Sequence, residues 1–239
     1  MPSLAIKRLE LALQVRHFDR TLLSHRRPGG RVSTTGWAPL DAALDGGWAR
    51  GELSEAIGTR SSGRTWLLQA TLAAATRRGE VVALVDAVDR FDPRSAAPAG
   101  IDHARLLWIR GPALTAEQTR PSLLDAAVSK AVRAFDLVIR SGGFAVVALD
   151  LADISPRIVG ALPLATWRRI ASVNADHDTS ALLIGEAPMS RSAGGVSVRL
   201  TAVGAWTGAT AQQRRLARLD LRADIVSARH GQGARQVRA

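Results

Sequence analysis

Between residues 58 and 65 the chain reads Gly58-Thr59-Arg60-Ser61-Ser62-Gly63-Arg64-Thr65. Two spaced glycines followed by a cation and a hydroxyl make a P-loop pattern, a loop whose backbone N–H groups cradle phosphates. In the full pattern the cation is a lysine that reaches the β- and γ-phosphates, and the hydroxyl holds Mg²⁺. Arg64 stands in that place here. A guanidinium is a wide, permanently charged planar fork and does not simply replace a compact ammonium. The octet therefore fixes an architecture and puts its chemistry in question.

The flanks agree with the architecture. Residues 51–57 (Gly-Glu-Leu-Ser-Glu-Ala-Ile) suit a short strand, and residues 65–76 (TWLLQATLAAAT) are rich in good helix formers. Further along, Val81–Asp86 reads as a buried strand, Arg105–Ile109 as another, and Ser122–Arg140 as a helix. Phe144–Asp150 is an apolar strand closed by a carboxylate, Leu164–Ala175 a helix and Ser180–Ile184 a further strand. This alternation predicts an α/β fold: a mostly parallel central sheet flanked by helices. Ser197–Leu200 and Arg218–Ser227 alternate like antiparallel edge strands. Asp150, at the end of its strand, is placed to face the loop and hold Mg²⁺ through water. Nucleotide-binding candidates are thus Gly58, Ser62, Gly63, Arg64, Thr65 and Asp150, as a degenerate set.

Residues 1–25 form a separate amphipathic helix. Leu9 and Leu13 lie on one apolar stripe, Phe18 and Leu22 on its neighbour, and such a face must dock on this chain, a second copy or another protein. Residues 26–32 are a linker by composition, 33–228 the core, and 229–239 a basic disordered tail.

Charge is uneven. The chain carries a formal +11, with seven basic and two acidic side chains in residues 1–32 and seven Arg against two Asp in residues 214–239. Arg214, Arg215, Arg218, Arg222, Arg229, Arg235 and Arg238 are the candidates for contact with DNA or an acidic partner. Cysteine is absent, which excludes disulfides and thiolate metal sites. His177 between Asp176 and Asp178 lacks the four convergent ligands of a tight metal site, so no metal site is expected. No apolar run of about 18 residues exists, so no membrane span is expected. The first residues show no secretory pattern, and the expected compartment is the cytoplasm. Among the six Trp, core packing suits Trp66 and Trp167, whereas Trp48 and Trp206 lie near glycines as exposed anchors.

Together the octet, Ser33-Thr34-Thr35-Gly36, Leu40 to Gly47, Gly51-Glu52-Leu53, Val85-Asp86-Ala87, Asp92-Pro93, Asp150 and Ser197 to Leu200 resemble the RecA core over roughly residues 33–228. The resemblance implies a RecA-like fold with ATP and Mg²⁺ as cofactors, and the departures weaken that implication. Where the family carries its catalytic Glu this chain has Val88. The adenine-stacking Tyr falls near Ser95, and the chain has no Tyr. The γ-phosphate-sensing Gln falls at Glu186 or Ala187. The loops at 151–160 and 188–195 are short.

This joint loss resembles the ImuA family of the bacterial mutagenesis cassette. That resemblance implies an SOS-induced accessory scaffold in translesion DNA synthesis with little or no ATP hydrolysis. Its implied partners are ImuB and an error-prone replicative-type polymerase, with RecA, DNA and a second copy of the chain as further candidates. Two alternatives stay open at this stage: an active DNA-dependent ATPase or recombinase, and an SOS cell-division inhibitor.

Overall fold

A computed structural model describes residues 31–114, 120–190, 195–210, 213–227 and 236–238. The helix expected over residues 1–25, with Leu9, Leu13, Phe18 and Leu22, lies outside them, as do Arg229 and Arg235.

A small antiparallel ribbon, β1 (Val32–Ser33) with β2 (Trp48–Ala49), brackets the short helix α1 (Ala38–Ala43). The main sheet holds β3 (Leu53–Ile57), β4 (Val82–Asp86), β5 (Leu106–Arg110), β6 (Val146–Asp150), β7 (Ser180–Gly185), β8 (Ser197–Thr207), β9 (Arg215–Ser227) and β10 (Gln236–Arg238). Its order is β10-β9-β8-β3-β7-β6-β4-β5. From β8 to β5 neighbours run parallel; β9 and β10 are antiparallel to theirs.

Among the described residues α2 (Arg64–Arg77) and α4 (Pro121–Ser141) are the long helices, with α3 (Pro93–Ala96), α5 (Pro156–Gly160) and α6 (Leu164–Asn174) beside them. The apolar strands have no polar face because both faces are covered. Val82, Leu84, Val146, Ala148, Leu182 and Ile184 pack into the cluster that holds α2 and Trp48. The alternate residues Ala83, Val85, Val147, Leu149, Ala181 and Leu183 pack against α4 and α6. The period of two in each strand thus serves two cores at once. Ala73, Ala75 and Ala148 are small residues buried in the first core, where helix and sheet lie close.

Four sequence expectations need correction. Ser197–Leu200 is not an edge: β8 pairs in parallel with β3 and continues to Thr207, forming a long ribbon with β9. Residues 236–238, inside the segment expected to be a disordered tail, pair with β9 as the edge strand β10. Trp48 is buried rather than exposed, and its indole N–H donates to Thr71 Oγ1 at 3.2 Å. Trp66 is 41% exposed rather than packed in the core, edge-on to Trp37 with ring centroids 5.9 Å apart. Trp167 is buried and Trp206 is exposed, as expected.

Candidate functional site

The octet joins the C-terminal end of β3 to the N-terminus of α2. Gly63 is the N-cap residue at φ +94°, a conformation that L side chains avoid, and an added Cβ would meet Leu221 Cδ2 at 2.5 Å. A Cβ on Gly58 would collide with Ser62. No side chain caps α2. Its first-turn amides therefore point, unpaired within the helix, toward whatever lies before them. What lies there is a cavity of about 750 Å³, lined among others by Ser62, Gly63, Arg64, Thr65 and Asp150. Ser62 Oγ is buried and has no hydrogen-bond partner.

Asp150 reaches this cavity because β6 ends beside β7, which ends beside β3. In register with it on β4 is Asp86. The chain leaves β3 through α2 and re-enters the sheet at β4, beyond β7 and β6. The cavity thus lies at the carboxyl ends of the strands, where ligands bind in open α/β sheets. Asp86 is buried and holds the following turn: its carboxylate accepts from Arg90 N at 2.9 Å, Phe91 N at 2.8 Å and Trp108 Nε1 at 3.3 Å. Asp150 is half-buried, with Oδ1 accepting from Ala152 N at 2.9 Å. Removal from water pushes its carboxyl up to about 6; the nearby Asp86 and Asp153 push the same way, against the Ala152 amide and the Arg64 charge.

Arg64 is buried and turned onto the protein's own backbone. Its guanidinium donates to Gly58 O and, at 2.5 Å, to Ala152 O, and lies 3.5 Å from Gly185 O. Three arginines surround Asp153: Arg60 at 3.5 Å, Arg64 at 3.7 Å and Arg90 at 3.7 Å. Only Arg64 of the three is buried; Arg60 and Arg90 have exposed side chains at the cavity wall.

Val88, where a catalytic carboxylate would be needed, is buried in the α4-side core. Its neighbour Asp89 is engaged by Arg110 through two hydrogen bonds of 2.8 and 2.7 Å, which hold its carboxyl below the usual range. The phosphate end of a nucleotide fits this site: uncapped amides, a partnerless Ser62 hydroxyl, Thr65 and Asp150 surround one space. A base for activating water does not appear among the residues at Val88 and Asp89.

The basic candidates fall elsewhere. Arg214 and Arg215 are exposed where the β8–β9 ribbon turns back, with the Arg214 guanidinium 5.6 Å from the centre of the Trp206 ring. Arg218 stands opposite Ala205 in register, and Arg222 stands between Thr201 and Arg238. Among the described residues no group of His, Asp and Glu is arranged to hold a metal ion, and no helix is long and apolar enough to cross a membrane.

Sequence reasoning missed Glu55, Asp153 and the place of Trp206 in the cavity wall. A charged residue inside the apolar run of β3 was the available signal for Glu55. Asp153 and Trp206 gave none, because the loop and α2 residues that face them across the cavity come from a distant segment.

A glycine loop between strand and helix, opposite strand-end aspartates at the edge of a parallel sheet, defines a P-loop α/β protein. The RecA N-terminal domain model matches residues 22–158, more than half of the chain, and the chain belongs to that family. It is 38% identical over 130 residues to "Protein RecA" of Prochlorococcus marinus (strain MIT 9211), covering 53% of this chain and 32% of that protein. It is 36% identical over 130 residues to "Protein RecA" of Synechococcus sp. (strain CC9902), covering 53% and 31%. The chain thus spans about a third of the length of the curated relatives it matches.

Proposed function

We propose that this chain is an ImuA-type member of the family, a DNA-repair accessory factor for mutagenic translesion synthesis that acts through contacts rather than ATP turnover. The observation that carries this reading is the engagement of Arg64. The cation that should reach a γ-phosphate is tied to the carbonyls of Gly58 and Ala152. Val88, buried in the α4-side core, offers no proton acceptor, so the two elements of turnover are weakened together. A bound nucleotide would present its phosphates to the α2 amides and Ser62, with Thr65 and Asp150 as the groups available to a magnesium ion. Held that way it is a ligand, not a fuel.

The exposed Arg214 and Arg215, with Arg222 and the arginines of the last eleven residues, are the surface for DNA or an acidic partner. ImuB and an error-prone replicative-type polymerase are the partners this reading expects, with RecA and a second copy of the chain as further ones, in the cytoplasm.

The test is phosphate release by the purified protein with Mg-ATP and single-stranded DNA. The expected rate equals that of Arg64→Ala, and Arg64→Lys does not start turnover because Val88 is unchanged. DNA-stimulated release that Arg64→Ala abolishes would make the protein a motor and end this reading.

A further inference from the structure

We propose that Trp206 on the β8–β9 ribbon is the base-stacking wall of the α2 cavity, so that the cavity takes a nucleoside phosphate and reads its ring through this residue. The inference rests on the reading of the site as one that holds a ligand without consuming it.

The cavity wall offers two kinds of group. Ser62, the α2 amides, Arg60 and Arg90 suit an anion, and Asp92, Asp150 and Asp153 share the wall with them. Leu68, Phe91, Ala202, Gly204 and Trp206 suit a flat apolar ring. Alternate residues of a strand share a face. On β8 the series Leu200, Ala202, Gly204, Trp206 runs from a core residue through two small ones to one large aromatic, and the last three line the cavity. Small side chains there leave the space that the indole closes.

Trp206 is 56% exposed, an arrangement that leaves much apolar ring in water without a ligand. Arg214 approaches one face of the indole, 5.6 Å from its centre, which steadies the ring by a cation–π contact. An indole has a second face. Ser95 also lines the cavity and cannot stack, and the chain contains no Tyr. Among the described residues of the wall the aromatic platforms on offer are Phe91 and Trp206. Of the two aromatics in the wall, Phe91 is already edge-on to Trp108 at 5.3 Å, which leaves Trp206.

Titration calorimetry on the full chain decides the matter, using Mg-ADP, inorganic tripolyphosphate and a thymidine dodecamer as separate probes. Trp206→Ala is expected to weaken ADP by roughly tenfold or more, the scale of one lost base–aromatic contact. Tripolyphosphate affinity should not change, and Trp206→Phe should recover part of the loss. Thermal unfolding checks that the substitution, at an exposed position, leaves the fold intact. Equal ADP affinity in the wild type and Trp206→Ala overturns the proposal, as does failure of the wild type to bind ADP. It is also overturned if the dodecamer alone loses affinity, since that would make Trp206 a strand-binding residue. Phosphate release measured on the same samples reports separately on whether the ligand is turned over.

Discussion

Arg64 and Asp150 show how one loop can keep its shape while its charges change partners. Arg64 supplies hydrogen bonds that close the loop on itself, and Asp150 stays beside it in a poorly hydrated wall. An acid whose folded value is raised binds its proton more tightly in the folded chain than in the unfolded one. The stability it adds is therefore fully present below about pH 4, near its unfolded value, and is lost as pH rises toward about 6. Because the carboxyl still touches the cavity, the change is on the order of 1–2 kcal/mol, less than the full shift would give. Asp150→Asn keeps an acceptor for the Ala152 amide and removes the titration. Urea unfolding at several pH values should show the variant gaining on the wild type between about pH 4 and 6, then holding a constant lead. A difference that stays flat across that window would mean that Asp150 titrates as an ordinary surface carboxylate.

At the scale of elements, β3 is held to its neighbours by more than ladder hydrogen bonds. Glu55 at its centre is fully buried. One of its oxygens accepts from Met189 N at 2.9 Å, Ser190 N at 3.0 Å and Ser190 Oγ at 3.2 Å, and the other accepts from Ser197 Oγ. The carboxylate thereby ties Met189 and Ser190, in the connection from β7 to β8, to Ser197 at the start of β8, and with it the root of the ribbon that carries Trp206. Glu55→Leu fills the space but leaves those donors buried without an acceptor. The expected loss is about 3–5 kcal/mol by urea unfolding, with faster proteolysis between β7 and β8. A loss under about 1 kcal/mol would show that the strands hold the connection without it.

The long helices and the buried parallel strands were legible in the sequence, because strands covered on both faces read as apolar runs and α2 and α4 are made of strong helix formers; the short helix α5 lies inside the stretch 151–160 read as a loop. β8 was not. After Leu200 its residues Thr201 to Thr207 have no clear apolar alternation, since one face meets a cavity and the other meets solvent. The two misplaced tryptophans have the same kind of cause. Glycines beside Trp48 suggested a turn at the surface, yet β2 turns that indole into the core, where Thr71 accepts its N–H. The octet announced the loop and the start of α2. It could not announce where Arg64 goes, because Ala152 and Gly185 reach it only through the order of β6, β7 and β3.

Over the whole molecule the positive charge gathers at the chain ends, and the end that is described is part of the sheet. β10 pairs with β9, and the register sets Arg238 opposite Arg222. A basic segment that ends as a sheet edge suits a polyanion laid across that edge. Removal of residues 229–239 should then do two things at once. Loss of the edge strand, and of Val237 packed against the core, should lower the midpoint of thermal unfolding. Loss of Arg229, Arg235 and Arg238 should also flatten the dependence of single-strand DNA binding on salt. Each phosphate contact to a single strand contributes about 0.7 to the slope of log K against log salt, so three contacts remove about 2. Fluorescence anisotropy with a labelled thymidine oligonucleotide, from low to physiological salt, reads that slope directly. A truncated chain with an unchanged slope and a lowered midpoint would make this end a structural strand only. The contacts with DNA would then fall to Arg214 and Arg215 on the ribbon.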